Sequence, residues 1–303
     1  MSRIGIIITS YNNRFYLKNC VESIFDKISN NNFNIVIVDN ASEEYGVKKI
    51  LSLLKKERTI QIIENERNIG YSKALNSGLS LIKSDFKDIK YILILNQDTK
   101  LLNNILDKSI KVMKERENVG ICGPRLFNPD GTIQTSFFNF PSGYQKLAES
   151  IGLDKLSVFF RKVRILRSLS TFLPSFVRTH LKNFANLRNP IEVSWIRGAS
   201  LIVRKEVFVD ILGFDENFEM YAEDMDFCQR ARAKGWKIYY IPDAHVLHYG
   251  GIKPPKRSKR LANIYYDSLA FYYKKHFKGI KRNLLEFLNH IERIIKVKLF
   301  KHS

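Results

Sequence analysis

The stretch Lys90 to Thr99, KYILILNQDT, constrains this chain more than any other. Tyr91 to Leu95 is an unbroken apolar run, as a strand is when both faces of a parallel sheet are covered. Asn96, Gln97 and Asp98 then fall at the strand's carboxyl end, the edge at which open α/β sheets bind ligands. Taken alone, the segment is better read as a strand followed by an Asp/Thr cap of the next helix. Its neighbours decide between the two.

Those neighbours repeat the pattern. Arg3 to Thr9 reads as a buried strand, and Phe15 to Ile28 follows with Leu17, Val21, Ile24 and Phe25 at helical spacing. Asn34 to Val38 is a second strand ending in Asp39, with helix-like Val47 to Lys56 behind it. Ile60 to Ile63 is a third strand, Asn65 to Gly70 a loop, and Tyr71 to Ile82 a helix leading into the Tyr91 strand. Alternation of this kind builds right-handed βαβ units and a mostly parallel sheet flanked by helices, an α/β fold. Asp39 and Asp98 are then expected at the ends of two neighbouring strands on one sheet edge. There, one carboxylate can accept from a base or ribose, and another near a diphosphate can hold a divalent cation. An Asx turn closing the strand accounts for Asp39 equally well. The glycine patterns of a P-loop or a dinucleotide fold are absent.

Further along, Val119 to Gly123 reads as a strand, Asn128 to Gly131 as a turn and Arg204 to Leu212 as a helix. Glu223, Asp224 and Asp226 put three carboxylates in the first turn of a helix running to Lys234, more than capping of its dipole requires. Trp236 to Ile241 reads as a strand followed by Pro242 to His248, where His245 reads as a structural histidine.

Composition limits the setting. The 303 residues, 45% of them hydrophobic, suffice for a full core, and the net charge of +20 calls for an anionic partner. Cys20, Cys122 and Cys228 are widely spaced and odd in number, which points to reduced thiols in a cytosolic setting rather than a disulfide framework. With neither a signal-peptide pattern nor an apolar run of about 18 residues, membrane attachment is expected to be peripheral.

Seven segments together resemble glycosyltransferase family 2 and follow its order over roughly residues 3 to 250: IIITSY (6–11), VIVDNAS (36–42), RNIGYSKALNSG (67–78), LILNQDT (93–99), WIRGASL (195–201), GFDE (213–216) and YAEDMDFCQR (221–230). The nearest likeness is to its bacterial rhamnosyltransferase-like branch. The resemblance implies a GT-A fold, with a nucleotide-binding half at 1–100 and an acceptor-binding half at 101–252 that carries a basic insertion near 145–190. It also implies transfer of a sugar, with inversion, from a nucleotide diphosphate sugar to a hydroxyl of a lipid-linked glycan or growing surface polysaccharide such as O-antigen. On the branch likeness the donor is dTDP-rhamnose; galactofuranose, N-acetylglucosamine or another hexose is the alternative.

By the same resemblance Thr9 and Tyr11 line the base pocket, Asp39 meets the pyrimidine, and Arg67, Asn68 and Gly70 flank the nucleoside and phosphates. Asp98 takes the last position of the DXD-type motif and binds Mg2+ or Mn2+. Asn96 stands at the first, where an amide oxygen can still accept from ribose. His248 reaches the metal or the diphosphate, and Gly250 and Gly251 let the following loop bend over it. Asp224 matches the general base that a weakly nucleophilic hydroxyl requires. Glu223, Asp226, Trp195 and Arg197 orient the acceptor or the base.

Positive charge concentrates in two segments. Residues 154–188 carry eight Lys or Arg against Asp154, and residues 253–303 carry 14 against Asp267, Glu286 and Glu292. Both show apolar residues at helical spacing, so 253–303 is expected to be a basic amphipathic helical extension. Such helices either pack on the catalytic domain or lie in an anionic membrane interface; many members of the family act on lipid-linked acceptors, which favours the inner face of the cell membrane. Lys253 to Arg260 reads alternatively as a lid over the donor phosphates. A basic nucleic-acid-binding protein is the alternative from another class, but without a recognisable module no nucleic acid is expected as partner.

Overall fold

The structure, a computed structural model, describes residues 3–28, 32–85, 88–142, 187–250 and 259–299. It divides into two compact units, Met1–Phe137 with Arg188–Ile252, and Phe138–Leu187 with Lys253–Ser303. The basic insertion expected near 145–190 lies outside the described residues except at 187–190, as do Gly251 and all but the last two residues of the 253–260 segment.

In the first unit, β1 (Arg3–Ser10), α1 (Arg14–Lys27), β2 (Phe33–Asp39), α2 (Tyr45–Leu54), β3 (Ile60–Glu64), α3 (Tyr71–Asp85) and β4 (Ile89–Asn96) alternate as the sequence predicts. Next come β5 (Thr99–Leu101), α4 (Ile105–Glu115), β6 (Val119–Phe127), β7 (Ile133–Gln134) and, ending one residue past this unit, β8 (Phe137–Phe138). After these, β9 (Ile191–Glu192), β10 (Trp195–Ile196), β11 (Ser200–Arg204), α5 (Lys205–Ile211), α6 (Glu223–Ala233) and β12 (Lys237–His248) complete it. Burial fixes these strands. Ile6 to Ile8, Ile35 to Val38 and Ile92 to Leu95 are all 0% exposed. Each such side chain contributes about 1.5–3 kcal/mol, more than the ~1 kcal/mol span of strand propensity.

Alternate residues face opposite layers. Ile6, Ile8, Ile35, Ile37, Leu93 and Leu95 share a core with α1, α2 and α4. On the other face α3 comes close enough that a Cβ on Gly78 would sit 2.8 Å from Ile7 Cγ2. Phe25, expected on the buried stripe of α1, is 41% exposed and lies at the rim with its ring 5.6 Å from that of Phe33. All three cysteines are free and buried.

The main path of the sheet runs β3-β2-β1-β4-β11-β6-β12-β5. β3, β2, β1 and β4 are mutually parallel, β11 is antiparallel to β4 and β6, and β12 is parallel to β6 and antiparallel to β5. Asp39 and Asp98 do not follow neighbouring strands, because β1 lies between β2 and β4, with Ser10 opposite Asp39 and Thr9 opposite Asn96. The chain steps outward through β2 and β3, then returns to the other side of β1. This reversal is a topological switch point, where a crevice opens at the carboxyl ends of the strands.

β12 runs seven residues beyond the expected strand end at Ile241 and reaches His248 through a register shift between Ile241 and His245. Pro242, which has no N–H, sits in the shift. Asn103 satisfies the displaced backbone, accepting the His245 N–H at 3.0 Å and donating to the Asp243 carbonyl at 2.8 Å. His248 thereby comes into register with Thr99, next to Asp98.

In the second unit α7 (Lys259–His276) and α8 (Gly279–Leu299) are joined by Asn289 Nδ2 donating to the Tyr266 carbonyl at 2.9 Å and by an Arg293–Asp267 ion pair at 2.6 Å. α8 buries Leu285, Leu288 and Asn289 on one face. Among the described residues no helix is long and apolar enough to cross a membrane.

Candidate active site

The crevice begins at the turn after β1. Gln97 clips this turn to the tip of β4: its Oε1 accepts from Ser10 Oγ at 3.0 Å and from the Tyr11 N–H at 3.3 Å, and its Nε2 donates to the Tyr11 carbonyl at 2.8 Å. Asn12 and Asn13 follow at φ 54° and 60°, a conformation that asparagine tolerates better than most residues. Thr9 is nearly buried, while the Tyr11 ring stands 47% exposed at the crevice mouth.

Asp39 is 4% exposed, and both of its carboxylate oxygens already serve its own turn, Oδ1 accepting from Ser42 Oγ at 2.5 Å and Oδ2 from the Ser42 N–H at 3.0 Å. The Asx-turn reading therefore describes its geometry, and its second lone pairs are what a base would use. Asn40, absent from the sequence-based site, ties this strand end to the next loop. It donates to Asn68 Oδ1 at 2.9 Å and accepts the Ile69 N–H at 3.0 Å. Asn68 Oδ1 also accepts the Gly70 N–H at 3.0 Å, and Gly70 lies at φ 87°, where a side chain would be strained. Arg67 is exposed, with no hydrogen bond or ion pair among the described residues.

At the tip of β4, Asp98 Oδ1 lies 3.5 Å from His248 Nε2. Gly250 covers both: a Cβ there would come 2.0 Å from Asp98 Oδ2 and 3.2 Å from His248 Nε2. The Asp98 carbonyl accepts the Tyr249 N–H at 2.9 Å, which locks the two strand ends together. Among the described residues no three His, Cys, Asp or Glu side chains group closely enough to hold an ion by themselves. A hard carboxylate oxygen, an imidazole nitrogen and a glycine that leaves room above them fit a divalent ion that takes its other ligands from a diphosphate and water.

Asn96 Oδ1 accepts from the Tyr71 hydroxyl at 2.6 Å. Tyr71, missed by the sequence reading, is the hub of the crevice. Burial raises its pKa above the usual phenol value, and the Glu223, Asp224 and Asp98 carboxylates push the same way against a hydrogen bond with Thr9. A fourth carboxylate at position 96 would add charge to this group, whereas the amide keeps the acceptor without it. Tyr71 also donates its N–H to the Glu219 carbonyl at 2.7 Å, fastening α3 to the loop that enters α6.

That loop ends with Tyr221 and Ala222 at φ 69° and 61°, each costing on the order of 1–3 kcal/mol in a non-glycine residue. The strain aims the first turn of α6. Asp224 Oδ2 accepts the Gly198 N–H at 2.8 Å and Oδ1 the Met225 N–H at 2.8 Å. Gly198 allows this approach, since a Cβ there would lie 3.1 Å from Asp224 Cβ. Burial raises the Asp224 pKa, opposed by these two N–H groups and by Arg197. Glu223 is 7% exposed, its Oε2 has no hydrogen-bond partner among the described residues, and burial followed by Asp224 holds its pKa well above the carboxylate range.

Asp226 is placed differently from the expectation that it orients acceptor or base. It is 0% exposed, with Oδ2 accepting from Arg230 Nε at 2.7 Å. Arg230 in turn donates to the Ile211 and Gly213 carbonyls at 2.6 and 2.9 Å. The i,i+4 spacing puts Asp226 on the packed side of α6, so it secures the turn after α5. Trp195 and Arg197 lie in β10 and just after it, with the Arg197 N–H donated to the Ser136 carbonyl at 2.8 Å. His245 is structural as expected: its Nε2 lies 3.1 Å from the Pro242 carbonyl and its ring 5.3 Å from Phe127.

The sequence profile described as Glycosyl transferase family 2 matches residues 5–168, and that of Glycosyl transferase family group 2 matches 91–270. The chain is 24% identical over 224 residues to the N-acetylglucosaminyl-diphospho-decaprenol L-rhamnosyltransferase of Mycobacterium tuberculosis, covering 71% of this chain and 66% of that protein. It is 25% identical over 262 residues to the rhamnosyltransferase WbbL of Escherichia coli, covering 81% and 83%. The solved structure of GalNAc-T7 with UDP, GalNAc and Mn2+ superposes with a TM-score of 0.58 at 13% identity, covering 96% of this chain and 55% of that one. The chain thus spans just under two thirds of the mycobacterial relative and about half of the solved neighbour.

Proposed function

This chain belongs to glycosyltransferase family 2 and has the GT-A fold, and from that premise we propose that it is an inverting sugar transferase acting on a nucleotide diphosphate sugar. The observation that carries the proposal is Asp224, a carboxylate of raised pKa aimed by two backbone N–H groups, with the Asp98–His248 pair in the same crevice and the Asp224 and Asp98 charges both acting on Tyr71. Asp224 takes the proton of the acceptor hydroxyl as its oxygen bonds to the anomeric carbon. The bond from that carbon to the diphosphate breaks with its electron pair on the leaving group. Asp98 and His248 would hold a divalent ion, Mg2+ or Mn2+, which supplies neutralisation of the charge developing on the diphosphate. Thr9, Tyr11 and Asp39 take the nucleoside, Arg67, Asn68 and Gly70 its phosphate side, and Asn96 the ribose. Glu223, Trp195 and Arg197 border the base on the acceptor side.

The rhamnosyltransferases among its relatives make dTDP-rhamnose the first donor to test and a lipid-linked or surface-polysaccharide glycan the acceptor class. α8 supports peripheral attachment to an anionic membrane. Beside its packed face, Ile280, Phe287, Ile291, Ile294 and Ile295 are exposed apolar residues, in an extension with 14 basic residues against three acidic. Each Lys or Arg near such a surface contributes about 1 kcal/mol. Among donors we place dTDP-rhamnose ahead of galactofuranose, N-acetylglucosamine and other hexose donors.

The test is a panel of nucleotide sugars with Mg2+ or Mn2+, read by nucleotide release and by thermal shift. Asp224→Asn is expected to lose roughly 10²–10⁴-fold in turnover with donor binding retained, and Asp98→Ala to lose metal-dependent donor binding. Normal turnover in Asp224→Asn overturns the base assignment. Salt-sensitive binding to arbitrary duplex DNA with no nucleotide release overturns the transferase reading.

A further inference from the structure

We infer that Gln134 is a positioning residue for the ion site, setting through one polarised hydrogen-bond chain which ring nitrogen of His248 is left free to bind a cation. The inference rests on the metal reading above, but its first step does not. His248 is 6% exposed and its Nδ1 lies 2.7 Å from Gln134 Oε1, itself on a residue 6% exposed. Gln134 Nε2 donates to Asn128 Oδ1 at 2.8 Å, and Asn128 Nδ2 donates to Thr132 Oγ1 at 2.9 Å. Thr132 Oγ1 donates to Asp130 Oδ1 at 2.6 Å.

The far end fixes the direction of every link. An ionised carboxylate only accepts, so Thr132 must donate to Asp130, whose pKa that hydrogen bond lowers. With its proton committed, the Thr132 oxygen accepts from the Asn128 amide. Asn128 then turns its oxygen to the Gln134 amide, and Gln134 turns its own oxygen to His248. Flipping Gln134 alone would set its amide nitrogen against the Asn128 amide's partner site and its oxygen against the Asn128 oxygen, so the Asn128 end holds its orientation. Nδ1 of the neutral imidazole therefore carries the proton, and Nε2 presents a lone pair toward Asp98 Oδ1 at 3.5 Å. Two facing acceptors are unfavourable by themselves and are satisfied by a cation between them. Outer partners that fix a histidine tautomer in this way typically change metal affinity by about 10–100-fold when removed. β7 has this role because Gln134 pairs in register with Leu126 of β6, itself opposite Val246 of β12.

The experiment measures the His248 tautomer by long-range 1H–15N correlation in metal-free full-length protein, at a pH where the imidazole is neutral. The wild type is expected to show Nδ1–H. Gln134→Leu and Asp130→Asn, the second an exposed residue far from the ion, should lose or weaken that preference, and Gln134→Glu should keep it. Mn2+ binding is then followed by electron paramagnetic resonance in the presence of dTDP and, separately, UDP, with Gln134→Leu expected to weaken it about 10–100-fold and Gln134→Glu to restore most of it. A wild-type Nε2–H tautomer, or an unchanged Mn2+ affinity in Gln134→Leu, overturns the inference. No Mn2+ binding by the wild type with either nucleotide overturns the metal reading and the ion part of the inference together, while the tautomer measurement still decides the hydrogen-bond chain.

Discussion

Asp224 and Glu223 are adjacent carboxylates with different surroundings. Asp224 has two backbone N–H groups and Arg197 to favour its charged form, whereas Glu223 Oε2 is buried with no hydrogen-bond partner among the described residues. A base works only when deprotonated, and Arg197 lowers the Asp224 pKa. In Arg197→Gln the acid limb of the kcat/KM profile should therefore move to higher pH, with activity at alkaline pH less affected. For Glu223 the sign is opposite to that of a salt-bridged acid. Its folded pKa lies above the unfolded value, so its stabilising contribution is present below the unfolded pKa and is lost as pH rises through the folded one. Glu223→Gln, neutral at every pH, is expected to raise the melting temperature at pH 8 relative to wild type and to change it less at pH 5. A larger gain at pH 5 would contradict the burial account. The acidic run EDMD was visible in the sequence and the resemblance singled out Asp224 from it, but that Asp224 meets Gly198 while Asp226 meets Arg230 was not.

At the scale of elements, α6 is held by its Asp226–Arg230 pair and by the two carbonyls that Arg230 caps. Removing one partner of a buried pair leaves an uncompensated charge, so Arg230→Ala should cost about 3–5 kcal/mol, read as the shift in a denaturant midpoint. Asp226→Asn combined with Arg230→Met should cost less than Arg230→Ala alone; an equal or larger loss would show that the pair is not what holds the turn. β12 offers the contrast. Its apolar run ends at Ile241, and its continuation to His248 depends on pairing with β5 and on the Asn103 side chain. Both are contacts distant in sequence, which periodicity does not report.

For the whole molecule, the charge of +20 and the exposed apolar residues of α8 predict where the protein resides. Phe287→Glu with Ile291→Glu should reduce flotation with anionic vesicles several-fold without lowering the melting temperature, because both side chains lie off the packed face of α8. Binding of wild type to neutral vesicles as strong as to anionic ones would remove the electrostatic part of this account.

The sequence by itself determined the alternation of strands and helices, the strand-end placement of Asp39 and Asp98 and the acidic first turn of α6. These follow from side-chain period and burial, which are local. The tertiary structure alone decided that β1 separates the two aspartate strands, that Asp226 turns into the core, and that Tyr71 meets Asn96, Asn40 meets Asn68, Gln97 meets Tyr11 and Gln134 meets His248. The last four contacts join segments distant in sequence. A side chain's hydrogen-bond partner in such a contact is set by strand order and register, which no single segment encodes.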